Sequence, residues 1–219
     1  MSAKDEILGR VRHGVAKDDF AGRRAAAVAS LANAGRGPQP SMAGNLAERF
    51  RLKAESLSST VAVVARREDA PAAVAAYLAA HGIGQQAVVT SDVACLDWAS
   101  SALQVAARAA EDADLVGISG CFCGVAETGT LMLLSGPETP ATVSLLPETH
   151  IALVDVSRIV ATMEDAFALL RAERGSLPRA VNFISGPSRT GDIEQTIVLG
   201  AHGPCRVHLI LVGAGAVAP

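Results

Sequence analysis

From residue 60 onward the chain alternates short apolar runs with stretches of helical spacing, and this alternation restricts the folds open to it more than any other feature. Val61 to Val64, Ala87 to Val89, Asp114 to Ser119, Leu131 to Leu134, Val143 to Leu146, Ile151 to Val154, Val181 to Ile184 and Val207 to Val212 read as strands. Asp69-Ala70-Pro71 opens a helix, with the proline tolerated in its first turn, and Gly82 closes it. Asp92 to Leu103, Met163 to Arg174 and Asp192 to Leu199 read as further helices. Strands alternating with helices predict an α/β layered fold around a largely parallel sheet. The three strands between Leu131 and Val154 have no helix between them, which predicts some antiparallel pairing there.

Ahead of this region the pattern is helical. Ile7, Leu8 and Val11 form one apolar stripe, and Asp18-Asp19 is suited to the positive end of a second helix running to Leu31. Gly35-Arg36-Gly37-Pro38-Gln39-Pro40 breaks any helix, and a helical piece around Leu46, Phe50 and Leu57 follows. The organisation expected is a helical N-terminal extension over residues 1–55, partly mobile because of that break, and an α/β domain over 56–219. A length of 219 residues fits one sizeable domain with an appendage. Half of the residues are hydrophobic but only 3% are aromatic, so the core must be built from Ala, Val, Leu and Ile.

Several function classes lose ground on charge and composition. The net charge of −3 hides an asymmetry: residues 1–67 hold 12 Lys/Arg against 6 Asp/Glu, and the remainder 7 against 16. The body is therefore acidic and poor in stacking aromatics, which argues against nucleic acid as a partner. No apolar run approaches the roughly 20 residues of a membrane span, so no transmembrane segment is expected. Four cysteines, Cys95, Cys121, Cys123 and Cys205, are too few for a disulfide scaffold, and no secretory signal opens the chain. A cytoplasmic protein with reduced thiols is the expectation.

Two segments concentrate the polar chemistry. The first is Ala126-Glu127-Thr128-Gly129-Thr130, ahead of an apolar run. The second runs from Ser185 through Gly186, Pro187, Ser188, Arg189, Thr190, Gly191, Asp192 and Ile193 to Glu194, and leads on to His202-Gly203-Pro204. A helix starting near Asp192 would offer unpaired N–H groups to an anion beside Ser188, Arg189 and Thr190. The same residues equally describe a capped helix with Arg189 in solvent. Glu127 is a candidate base or nucleophile, or an anchor for its loop. His202 is a candidate acid/base, or holds a tight turn. A Ser188–His202–Asp192 hydrolase triad lacks the Gly-x-Ser-x-Gly elbow. Cys121-Phe122-Cys123 is weak as a metal motif without a second cluster and reads as buried thiols. Nucleotide-binding glycine motifs are absent.

The segment 124–130, Leu146-Pro147-Glu148-Thr149-His150-Ile151, the segment 185–194 and Gly200-Ala201-His202-Gly203-Pro204 occur in this order, and together they resemble the LUD-domain family, most closely its lactate utilization protein C type. The resemblance covers roughly residues 60–212; Gly191 stands where alanine is common in the family. It implies a three-layer α/β sandwich of the NagB/RpiA/CoA-transferase kind. It also implies a part in oxidising L-lactate to pyruvate beside two partner proteins that carry iron–sulfur clusters, with no cofactor bound to this chain. The site expected is a pocket walled by both segments, taking a small carboxylate or phosphate, or offering a surface to the partners. Its ligand-binding candidates are Thr128, Gly129, Thr130, Ser185, Gly186, Ser188, Arg189, Thr190, Asp192 and Glu194, with Glu127 and His202 as catalytic candidates. The alternative is a stand-alone acyl- or CoA-transferase using Glu127, by analogy of fold.

Overall fold

The computed structural model describes residues 2–14, 19–33, 35–191 and 198–213. They fall into two compact units that divide between Gln39 and Pro40. The first holds α1 (Ala3–Gly14) and α2 (Phe20–Ala32), where the sequence placed helices. Asp19 caps α2: its carboxylate accepts from the Gly22 N–H at 2.7 Å, pairing one of the donors that a first turn leaves open.

The second unit is the α/β body, and it opens with α3 (Leu46–Ser56). Ala47, Phe50 and Ala54 recur at helical spacing and are buried, so this helix, grouped by sequence with the extension, contributes to the core of the body. Then come β1 (Thr60–Val64), α4 (Ala70–Ala80), β2 (Gln86–Val89), α5 (Ser91–Ala94), β3 (Gln104–Ala107), β4 (Val116–Gly120), β5 (Cys123–Val125) and β6 (Thr130–Leu134). After these follow α6 (Thr142–Leu145), β7 (Thr149–Asp155), β8 (Ile159–Val160), α7 (Met163–Glu173), β9 (Val181–Ile184), β10 (Arg189–Thr190), β11 (Val198–Leu199) and β12 (Arg206–Val212).

Six strands make the main sheet, in the order β1-β12-β7-β4-β2-β3, and every neighbouring pair is parallel. Apolar runs such as Val207 to Val212 suit strands covered on both faces. Alternate residues sort to the two sides. Val89, Ile118, Ile151, Leu153 and Ile210 pack with Val74 and Leu78 of α4. Ala152, Val154, Leu209 and Leu211 face the other way, toward Phe50 of α3 and toward Leu131 and Leu133 of a second sheet. That sheet has the order β8-β5-β6-β9, with β6 antiparallel to both β5 and β9. Its outer side is covered by α7, whose Ala166 and Leu170 meet Cys123, Val125 and Met132. Thr162 and Asp165 form the capping box that starts α7.

From β2 the chain steps outward to β3, whereas from β4 it steps to β7 and then β12 on the opposite side. The carboxyl ends of β2 and β4 therefore lie side by side at the point where strand order reverses, the position at which open α/β sheets leave a crevice for ligands.

Four local expectations are corrected. Val143 to Leu146 is not a strand: residues Thr142–Leu145 form α6, with Ser144 Oγ donating to Ala141 O at 3.0 Å, because a run of four residues, three of them apolar, is too short to fix a period of its own. The antiparallel pairing foreseen between Leu131 and Val154 belongs instead to β6 with β5 and β9, while β7 lies in the parallel sheet. The helix foreseen from Asp92 ends at Ala94, where the buried Trp98 turns back so that its indole N–H donates to Val93 O at 3.0 Å. Its last part holds only a single 3-10 turn at Ala99–Ser101, and the edge strand β3, absent from the sequence reading, follows directly from Gln104. Val198 and Leu199 pair with Thr190 and Arg189 in an antiparallel ribbon rather than ending a helix, and residues 192–197 of that expectation lie outside the described residues.

Candidate functional site

A cavity of about 310 Å³ opens at the carboxyl ends of β2 and β4. Thr90 follows β2, and Ser119 and Gly120 end β4, so the parallel register of these strands brings their last residues to one floor. The Asp92 carboxylate sits over Gly120, filling the space a side chain there would take. One wall is apolar, with Phe122, Leu133 and Leu134. The opposite charge comes from Arg158 and Arg174. Arg158 is engaged: it donates to both Glu173 carboxylate oxygens, at 2.7 and 2.9 Å, and to Phe122 O at 2.8 Å. The guanidinium holds the Glu173 carboxyl below the usual carboxylate range.

Beneath this floor lies a buried pair. Ser119 Oγ and His150 Nε2 are 2.9 Å apart, and both residues are buried. His150 comes from β7, which pairs with β4 so that His150 stands opposite Gly117 and on the same face as Ser119. Burial pushes the imidazole pKa down to about 4, so the ring is neutral at pH 7. None of these residues stood among the site candidates read from the sequence, although His150 lies in one of the segments shared with the LUD-domain family. The signal that could have found them is positional: Thr90, Asp92 and Ser119-Gly120 follow two predicted strands, where an open parallel sheet presents its crevice.

The two polar segments meet, and helix α3 is where they converge. Thr130 Oγ1 lies 2.6 Å from Ser185 Oγ and donates to Thr128 Oγ1 at 2.7 Å. Gly129 and Gly186 both have positive φ, at 64° and 79°. A Cβ on Gly129 would lie 2.6 Å from Ala54 N, and one on Gly186 would lie 2.3 Å from Leu57 O. Only glycine allows both the turn and the approach of the helix. The Arg189 guanidinium donates to Leu57 O at 2.9 Å and to Ser58 Oγ, placing a cation on an open carbonyl at the negative end of α3. Ser188 Oγ accepts from the His202 backbone N–H at 3.3 Å, and its own N–H donates to Pro204 O at 2.9 Å, so it fastens the loop that carries His202. Thr190 lies in β10, and Asp192 and Glu194 lie outside the described residues.

Glu127 and His202 line different cavities. Glu127 sits beside Arg49 and Lys53 of α3, its backbone N–H bonded to Ala161 O at 3.0 Å. His202 is exposed beside Leu145, Leu146 and Leu199. The cysteine pair is turned inward. Cys121 Sγ donates to Cys123 O at 3.0 Å, and burial pushes both thiols up, Cys123 to about 11. Among the described residues no three His, Cys, Asp or Glu side chains gather as a metal-ligand set.

Residues 47–212 match the sequence model of the LUD domain, well over half of the chain. The chain belongs to the LUD domain family. The matched span begins inside α3 and ends with β12, so it takes in both sheets. A lactate utilization protein C from a Geobacillus species is 42% identical over 118 residues, 52% of this chain and 48% of that protein. The Bacillus subtilis protein of the same name is 39% identical over 119 residues, 53% of this chain and 49% of its own length. An uncharacterized protein of Neisseria meningitidis is 47% identical over 88 residues, 40% of this chain and 38% of that protein. These matches therefore span about half the length of the curated relatives, or less. A crystal structure of a DUF162 family protein from Deinococcus radiodurans has the same fold, with a TM-score of 0.58 at 23% identity over 77% of this chain and 96% of that one.

Proposed function

We propose that this LUD-domain chain is a component of an L-lactate utilization system, in which lactate is oxidised to pyruvate and the two electrons pass to iron–sulfur clusters on two partner proteins. The observation that carries the reading is the likeness, near 40% identity, to several proteins named lactate utilization protein C. In this role the chain binds and positions rather than carries electrons. Its partner-facing surface lies around residues 199–203, where Leu199 is exposed beside Leu145 and Leu146. Apolar side chains clustered at a polar rim suit a protein contact.

Deletion of the gene, with growth on L-lactate as the sole carbon source, tests the reading. Loss of growth restored by a plasmid copy is the expected result, together with iron-containing partners on the tagged chain purified from lactate-grown cells. Undiminished growth of the deletion strain on lactate overturns it.

A further inference from the structure

The cavity at the carboxyl ends of β2 and β4 has a floor whose hydrogen-bond direction can be worked out. His150 is completely buried, and its Nδ1 has no hydrogen-bond partner among the described residues. A neutral imidazole carries its proton on one nitrogen and a lone pair on the other. With the proton on Nδ1, a buried N–H donor would be left unpaired, which folded proteins almost never tolerate. A protonated ring would leave the same N–H unpaired and bury a charge as well. The remaining form has the proton on Nε2, 2.9 Å from Ser119 Oγ, with Nδ1 a bare acceptor. The imidazole N–H then occupies a lone pair of the serine oxygen. No acceptor for the Ser119 hydroxyl proton exists among the described residues, and Ser119 lines the cavity.

The geometry points to an organic-acid binding site in this cavity, in which Ser119 donates its hydroxyl proton to a ligand oxygen and His150 is the positioning residue that turns it there. The charge pattern selects the ligand class. Arg158 is held by Glu173, whereas Arg174 at the same cavity makes no ion pair among the described residues, so it is the cation available to a carboxylate. Phe122, Leu133 and Leu134 offer an apolar wall to a carbon chain. Thr90 and Ser144, both buried, add hydroxyls to the floor. In this arrangement Ser119 is a donor and not a nucleophile, because the histidine beside it presents a proton and no lone pair with which to take one. The inference deepens the lactate reading by assigning a place for the acid, but its test is separate.

The full chain is titrated calorimetrically with L-lactate, pyruvate, 2-oxoglutarate and citrate, one at a time. At least one is expected to bind, with affinity falling about tenfold or more in Ser119→Ala, the usual scale for a hydrogen bond to a charged group. Arg174→Gln weakens the same acid, and His150→Gln, whose amide nitrogen can stand in for Nε2, keeps more of the affinity than His150→Phe. Long-range ¹H–¹⁵N correlations of the unsubstituted protein read the tautomer directly even where a His150 variant does not fold. A protonated Nε2 and a bare Nδ1 are expected. Failure of all four acids to bind, full affinity in Ser119→Ala, or a proton on Nδ1 overturns the inference. A chain needed for growth on lactate that binds none of the acids sinks this inference and leaves the lactate reading standing.

Discussion

Acid destabilises this fold through two histidines before its carboxylates titrate. His150 and His208 are buried, and burial holds both pKa values near 4, against an ordinary value of about 6.5 in the unfolded chain. His208 is further disfavoured as a cation by nearby His81; its ring stacks on Tyr77 at 3.9 Å, and Nδ1 lies 2.8 Å from Thr60 Oγ1. Between pH 4 and 6.5 the unfolded chain binds protons at these sites and the folded chain does not. Stability therefore rises with pH through that window, is fully present above 6.5, and is lost as pH falls toward 4. Going from pH 7 to pH 5 costs about 2 kcal/mol per histidine, hence about 4 kcal/mol for the pair. The carboxylates whose pKa is lowered by arginine partners, Asp69, Asp114 and Glu173 among them, stay ionised over this range and add their losses only at lower pH. Urea denaturation at the two pH values measures the effect. With a slope of about 2 kcal/mol per molar, the midpoint falls by about 2 M between pH 7 and pH 5. His208→Asn, which keeps an amide near Nδ1, removes about half of that fall. A change below about 1 kcal/mol across the window, or one untouched by the substitution, refutes the assignment of neutral buried rings.

The remaining predictions concern the dock of α3 and the thiols. Gly129→Ala combines a positive φ with a clash against the helix backbone and lowers stability by more than about 2 kcal/mol in chemical denaturation, whereas Gly191→Ala, with open space around it, stays within about 0.5 kcal/mol of the parent. Phe50→Ala empties a fully buried site between the sheets and costs about 3–5 kcal/mol by the same assay. Iodoacetamide at pH 7 labels the exposed Cys95 and spares Cys121 and Cys123 in the folded protein, as peptide mass spectrometry will read; labelling of Cys121 at the rate of Cys95 contradicts its inward-turned, raised-pKa thiol.

Much of the architecture was legible in the sequence because it is written in local period. The apolar runs at Val61, Ala87, Ile151, Val181 and Val207 are strands, the stretch from Ala70 and the stretch from Met163 are helices, and their alternation gives a mainly parallel sheet. The polar segments were also legible as special. Their glycines and hydroxyls do stand together, at Thr130 with Ser185, and they grip the end of α3 through Gly129, Gly186 and Arg189. Short elements failed for a definite reason: four residues such as Val143 to Leu146 satisfy either period, and neighbours decide which one forms.

The sequence by itself determined the longer strands and helices and where backbone turns require glycine, because those depend on a period or a turn within a few residues. Only the tertiary structure decided what stands opposite what. Ser119 and His150 are 31 residues apart, and strand pairing alone sets them 2.9 Å apart under a cavity. Strand order, which no local pattern encodes, placed that cavity at the carboxyl ends of β2 and β4, where the sheet's connections part.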